Sequence, residues 1–184
     1  MNVIEKGGDF EFVKLDSASD VDSFKIPEGK EASVLGSGFG YFKGMGIVNY
    51  TSSFKSWLRQ FPRPLFVVAT KGRELIGWVY IEEWSSHSRT GDPVYVLRAI
   101  EVIPKYRRNK VASRLLVLGI KMTVGYLLTK PLNSGAEAFF RMNGFKKPEE
   151  ISSTAVDLSS HHGYMVLSPY EKQDVIDRYE GHFV

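Results

Sequence analysis

Between Val94 and Leu116 the sequence VYVLRAIEVIPKYRRNKVASRLL concentrates side chains suited to chemistry. Lys105, Arg107, Arg108 and Lys110 place four cations within six residues. They stand just ahead of Val111, Leu115, Leu118 and Met122, an apolar stripe at helical spacing. First-turn N–H groups of a helix lack intrahelical partners and the helix dipole is positive there, so cations at that mouth make an anion site. A solvated basic loop is the plainer reading of the same residues. A few positions earlier lies Glu101. By strand alternation it shares a face with Leu97, Ala99 and Ile103, which makes it a carboxylate among apolar residues. Desolvation makes a carboxylate a better proton acceptor, so Glu101 is a candidate general base. A buried structural ion pair is the alternative, and both stay open. Glu82 and Glu83 are second choices, better read as exposed loop charges.

The positioning elements follow from local pattern. Val94 to Ile103 is rich in β-branched residues, carries only Arg98 and Glu101 as charges, and reads as a central strand. Pro104 cannot donate to a ladder and ends it. A helix begins near Asn109 or Lys110. Upstream, residues 9–15 read as a first strand, with Asp16 or Ser17 capping a following helix. Glycines and Pro27 interrupt residues 20–50, where short helices and loops are expected. The run GSGFGYFKGMG within it lacks the strand and helix that a phosphate cradle requires, and reads as a mobile loop at a substrate entrance. Thr51 to Phe61 predicts a helix capped by Ser52 or Ser53. Residues 65–70 and 75–81 predict a hairpin, and residues 82–92 a polar loop with His87, where Trp84 and His87 are candidates to line an acceptor site. After the organising helix come a strand over 125–130, parallel to its predecessor, a helix over 134–143, a strand between Phe145 and Leu158, a last strand over 164–167 and a terminal helix over 170–179.

The run Val102 to Leu116, VIPKYRRNKVASRLL, resembles the acetyl-CoA signature of the GNAT superfamily of N-acetyltransferases. That signature is a strand ending V-x-P, an aromatic, Arg or Gln, two residues, Gly, one residue, then Gly or Ala. Here Arg107 is followed by Lys110 and Ala112 at those spacings, with Lys110 where the family usually has Gly. A later block, NSGAEAFFRMNGF from Asn133 to Phe145, resembles the family's Asn, short helix and Gly-Phe pair. The resemblance extends over roughly residues 9 to 168.

The resemblance implies one α/β domain across the chain, a mixed and mostly antiparallel sheet flanked by helices, with a C-terminal helix in 169–184. It implies acetyl transfer from acetyl-CoA to an amine acceptor, a small molecule or peptide, by direct attack. Arg107, Arg108, Asn109, Lys110, Val111, Ala112 and Ser113 would wrap the pyrophosphate. Val102 and Ile103 would lend backbone groups to the pantetheine arm, which enters where this strand splays from the next, and a backbone N–H between Ile100 and Ile103 would polarise the acetyl carbonyl. Asn133 would bond the pantetheine amides, a helix cap being its local alternative. Phe140 stands where many members place the Tyr that protonates the departing thiolate, and phenylalanine cannot donate. Phe140 then packs the CoA arm or the core. A GNAT-fold CoA-binding protein without catalysis is the rival reading, and a homodimer, common in the family, stays open.

Composition sets the outer bounds. The chain has 184 residues, 43% hydrophobic and 24% charged, an ordinary globular balance. With no cysteine, disulfides, thiolate metal sites and Cys nucleophiles are excluded. The histidines, His87, His161, His162 and His182, show no metal-ligand spacing, so no metal site is expected. A net charge of +3 leads us to expect no nucleic-acid partner. No apolar run approaches membrane length and the N-terminus lacks a signal-like core, so no membrane partner and a cytoplasmic location are expected.

Overall fold

A computed structural model describes residues 1–29, 34–151 and 155–180. Seven strands are present: β1 (Asn2–Gly7), β2 (Phe10–Leu15), β3 (Leu65–Lys71), β4 (Glu74–Glu83), β5 (Val94–Val102), β6 (Tyr126–Thr129) and β7 (Met165–Leu167). They hydrogen-bond in chain order into one sheet. β1/β2, β2/β3 and β6/β7 are antiparallel, whereas β5 and β6 run parallel, from Val94 opposite Tyr126 to Leu97 opposite Thr129. The α-helices among the described residues include α1 (Tyr50–Trp57), α2 (Val111–Lys121), α3 (Ser134–Met142) and α4 (Pro169–Glu180). This is the mixed, mostly antiparallel sheet with flanking helices that the sequence implies.

Local chemistry explains most boundaries. β5 stops before Pro104, which opens a 3-10 turn over Pro104–Tyr106. The parallel β5–β6 crossover expected from the strand–helix–strand order is present. Gly125, at φ +76, starts β6 where an added Cβ would lie 2.0 Å from the Pro93 carbonyl oxygen, so no other residue fits that approach. Four boundaries differ from expectation. β1 was not foreseen: Asn2–Gly7 is largely exposed and lacks the alternation of a half-buried strand. Asn49, rather than Ser52 or Ser53, caps α1, its Oδ1 accepting from Ser52 N–H at 2.7 Å. α1 ends at Trp57, short of Phe61. Described residues between Phe145 and Leu158 form a 3-10 turn over Pro148–Glu150 and two isolated bridges, Lys146 to Val166 and Val156 to Ser88, in place of a strand. Residues 30–33, 152–154 and 181–184, with His182, lie outside the described residues and so does that part of the reading.

The chain forms two compact units, residues 1–80 with 99–116, and residues 81–98 with 117–184. The core of the first is aromatic. Trp78, Tyr50, Phe54, Phe66 and Phe39 are fully buried, with Phe54 and Trp78 ring centroids 5.1 Å apart and Phe54 and Phe66 4.8 Å apart. Burial of such side chains stabilises by roughly 1.5–3 kcal/mol each. The second unit packs Val94, Val96, Tyr126, Leu128, Ala155 and Val166 together.

Candidate active site

The end of β5 is largely buried: Ala99, Glu101 and Val102 are buried, as is Ile103 just beyond it, and Ile100 is half-buried. Glu101 is 6% exposed and makes no ion pair among the described residues. Its carboxylate is instead held by neutral donors. Gly40 and Tyr41 give their backbone N–H groups to Oε1 at 3.2 and 3.0 Å, and the Tyr50 hydroxyl donates to Oε2 at 2.9 Å. That hydroxyl in turn accepts from Phe42 N–H at 3.2 Å. Burial first, and the neighbouring Glu101 charge second, push the Tyr50 hydroxyl well above the usual phenol range, so it remains a donor.

The glycine-rich run therefore has an identified role. It is tied to the protein rather than loose. Phe39 anchors it in the core, the Gly36 carbonyl accepts from Lys105 N–H at 3.1 Å, and Gly40 and Tyr41 cap a protein carboxylate. Tyr50 is the site residue that sequence reading missed. Its partner lies 51 positions along the chain. A tyrosine just after a helix cap, on the buried side of an aromatic helix, was the available signal.

Beyond Pro104 the backbone turns left-handed twice, at Arg108 (φ 68) and Lys110 (φ 58). L-residues adopt this region at a cost, and glycine adopts it freely. The structure thus gives Lys110 the backbone conformation of the glycine that the signature places there, so its side chain, not its backbone, is the departure. Alternating left-handed residues fold successive N–H groups into an anion-binding concavity. α2 starts immediately afterwards, with Val111 buried and Ala112 and Ser113 half-buried. Arg107, Arg108, Asn109 and Lys110 are exposed around this turn. The Arg107 Nε donates to the Val102 carbonyl at 3.3 Å, tying the loop to the strand end. Exposed cations, a left-handed turn and an open helix N-terminus together fit a pyrophosphate.

The edge of β5 is also informative. Its ladder to β6 ends at Leu97, while β5 continues to Val102. Ile103 N–H is taken by the Ile76 carbonyl at 2.9 Å, which removes it as a donor to a ligand. Backbone groups alternate sides along a strand, so Val102 presents its N–H and carbonyl to the opposite edge.

Asn133 and Phe140 belong to the second unit. Asn133 caps α3, its Oδ1 accepting from Ala136 N–H at 2.8 Å. Phe140 is 4% exposed and packs on Phe139 and Phe145, with centroids 5.3 and 5.2 Å away. His87 stacks on Trp84 at 4.1 Å, and His161 meets both rings edge-on. None of the described helices is long and apolar enough to cross a membrane.

Comparison with known proteins places these features. The sequence model of the Acetyltransferase (GNAT) family matches residues 41–145, more than half of the chain. No curated protein sequence matches the chain. Among solved structures, a PaiA N-acetyltransferase from Thermoplasma acidophilum in complex with coenzyme A is similar at TM-score 0.57 and 16% identity, over 86% of this chain and 98% of that one. A mutant AtaT toxin bound to the C-terminus of the antitoxin AtaR and acetyl-CoA is similar at TM-score 0.55 and 12% identity, over 91% and 98%. A KacTA–DNA complex is similar at TM-score 0.55 and 12% identity, over 91% and 99%. These likenesses bear on the fold. They also correct one expectation. A partner limited to a small-molecule or peptide acceptor, with nucleic acid excluded, does not follow from a net charge of +3, because proteins of this fold assemble with an antitoxin and with DNA. A modest overall charge leaves local clusters such as Arg107 to Lys110 available, and clusters rather than totals contact phosphates. The signature loop, the strand that feeds it and the family match agree: the chain belongs to the Acetyltransferase (GNAT) family, which uses acetyl-CoA.

Proposed function

We propose that this chain is an N-acetyltransferase that moves the acetyl group of acetyl-CoA onto an amine by direct attack. The observation that carries the reading is the left-handed basic turn at Arg108 and Lys110, set between the end of β5 and the first turn of α2. Acetyl-CoA supplies an acetyl thioester, activated for attack by nitrogen. The N–H groups of Val111, Ala112 and Ser113, with the side chains of Arg107, Arg108 and Lys110, hold the pyrophosphate, and Asn109 spaces the two left-handed residues. Val102 N–H polarises the acetyl carbonyl. Glu101 takes the proton that the amine sheds as its C–N bond forms, directly or through one water, while the C–S bond breaks and sulfur leaves with the electron pair. Phe140 donates no proton to that sulfur. Asn133 and Phe140 have local roles, as cap and core, and the proposal does not use them.

A non-catalytic CoA-binding protein is the second reading, favoured by the missing hydroxyl at Phe140. Melting of the chain with and without millimolar acetyl-CoA addresses both. A ligand at about 100 times its Kd stabilises by roughly 2.7 kcal/mol, a rise of a few degrees. We expect that rise in the wild type and its loss in Arg107→Ala. No rise would remove both readings. A rise without acetylation of any amine in a panel of alkylamines, polyamines and lysine peptides would leave the second.

A further inference from the structure

We propose that the second unit carries a ligand pocket of its own, shaped for a planar heteroaromatic ring bearing a phosphate. The pocket encloses about 550 Å³, within the usual range for small-ligand sites. It does not rest on the acetyl-transfer reading, and its named walls lie within residues 81–98 and 117–184.

Three features select the ligand. The floor is apolar: Ile151, Leu158 and Tyr164 line it and remain half-buried against the core of this unit. Its rings are fixed from behind. Trp84 stacks on His87 with centroids 4.1 Å apart and planes 16° apart, and both abut His161, at 5.0 and 4.9 Å. Tyr164 leans on Trp84 at 5.5 Å. His161 and Tyr164 are thus held by their neighbours, Tyr164 also with Lys130 Nζ 5.9 Å from its ring centre, and a planar ligand meeting them orders few side chains on binding. The rim carries Arg89 and Lys147 beside Glu149, and Lys147 is paired with Glu137 at 3.1 Å.

Arg89 is pre-aimed. Its backbone N–H bonds the Ala155 carbonyl at 2.8 Å, and its guanidinium meets Asp157 at 2.9 Å. One ion pair uses only part of a guanidinium's five donors, and the remainder suit phosphate oxygens. A purely apolar ligand would leave the spare donors of Arg89 unused. A bare anion would leave the ring-lined floor unused.

Adenosine 5′-monophosphate is the probe, titrated calorimetrically into the full chain, with adenosine and inorganic phosphate as its two halves. We expect saturable one-to-one binding that persists in Arg107→Ala and in the presence of coenzyme A. Arg89→Gln and Tyr164→Ala should each weaken it about tenfold, as should removing either half of the probe. His161→Ala replaces Tyr164→Ala if the latter melts early. Absence of saturation at about 5 mM, meaning a larger Kd and binding weaker than about −3 kcal/mol, would overturn the proposal. So would displacement by coenzyme A or loss in Arg107→Ala, which would put the nucleotide on the basic loop. Unchanged affinity in Arg89→Gln would do the same.

Discussion

At Glu101 the arithmetic of lone pairs matters. A carboxylate offers about four acceptor sites, and Gly40, Tyr41 and Tyr50 occupy three. The remaining one is where a proton or a water would arrive. If Glu101 is the base, its loss must depend on the charge of the acceptor. An alkylamine titrates near pH 10, so Glu101→Gln should slow acetylation by a hundredfold or more at pH 7.5, and by less at pH 10, where roughly half of the amine is already neutral. A loss equal at both pH values would mark Glu101 as structural. At Lys110 the backbone conformation is that of glycine. Lys110→Gly removes left-handed strain of about 1 kcal/mol and returns part of it as unfolded-chain entropy. We expect a slightly higher Tm and a Kd for acetyl-CoA raised about three- to fivefold, more so at low salt, because a cation is gone. Tighter binding would show instead that the side chain obstructs the turn. Residues such as these were legible in part. The turn from β5 into α2 at Arg107 to Val111 could be read because breaker and helical period coincide there. Tyr50 could not, since its meaning depends on a residue far along the chain.

Among the elements, β5, α2 and α3 were readable because period, cap and breaker agree along short stretches: Pro104 after the strand, Asn133 before α3, Gly144 after it. The span from Phe145 to Leu158 was not. Its apolar residues Ile151, Ala155 and Val156 pack on the second core while pairing only through single bridges, and burial without a ladder looks like a strand in sequence. α4 is fixed by a feature that composition hides. Lys172 is 6% exposed, and its Nζ donates to the Thr123 carbonyl and hydroxyl at 2.8 and 2.9 Å. No carboxylate is among these partners, and burial lowers its pKa to about 8 from 10.5. Below pH 8 it is charged in both folded and unfolded chains, and the burial penalty is complete. Between about pH 8 and 10.5 the unfolded chain binds more protons, so stability rises with pH. The rise is on the order of 3 kcal/mol. Urea titrations at pH 7.5 and 10 should show it in the wild type and not in Lys172→Met. A Lys172→Met variant with an equal rise would assign the effect to other groups.

For the whole molecule, seven strands were expected and seven are present, but the sets differ: β1 is an exposed edge with little pattern to read, and the strand expected between Phe145 and Leu158 is replaced by isolated bridges among the described residues. Sheet class and the parallel crossover were legible because each requires only the order of elements. The choice of partner was not, because acceptor and assembly surfaces are set by loops that a shared fold leaves free. The division of the chain has its own consequence. The first unit is interrupted: residues 1–80 wait for residues 99–116, and the tie between them includes Glu101 reaching Gly40 and Tyr41 across 61 and 60 positions. Contacts of such sequence separation form late, after the loop-closure entropy has been met. Tyr50→Phe, which cuts one strand of that tie, should therefore leave the refolding rate nearly unchanged and speed unfolding, about tenfold for a loss of about 1.4 kcal/mol. Slowed refolding in a stopped-flow chevron would place the tie in the folding nucleus instead. With the late order, a nascent or partly melted chain would present its basic turn before its carboxylate is seated: the proposed competence to hold the donor would precede the proposed competence to use it, and the group proposed to take the proton would be the last part of the machine to arrive and the first to leave.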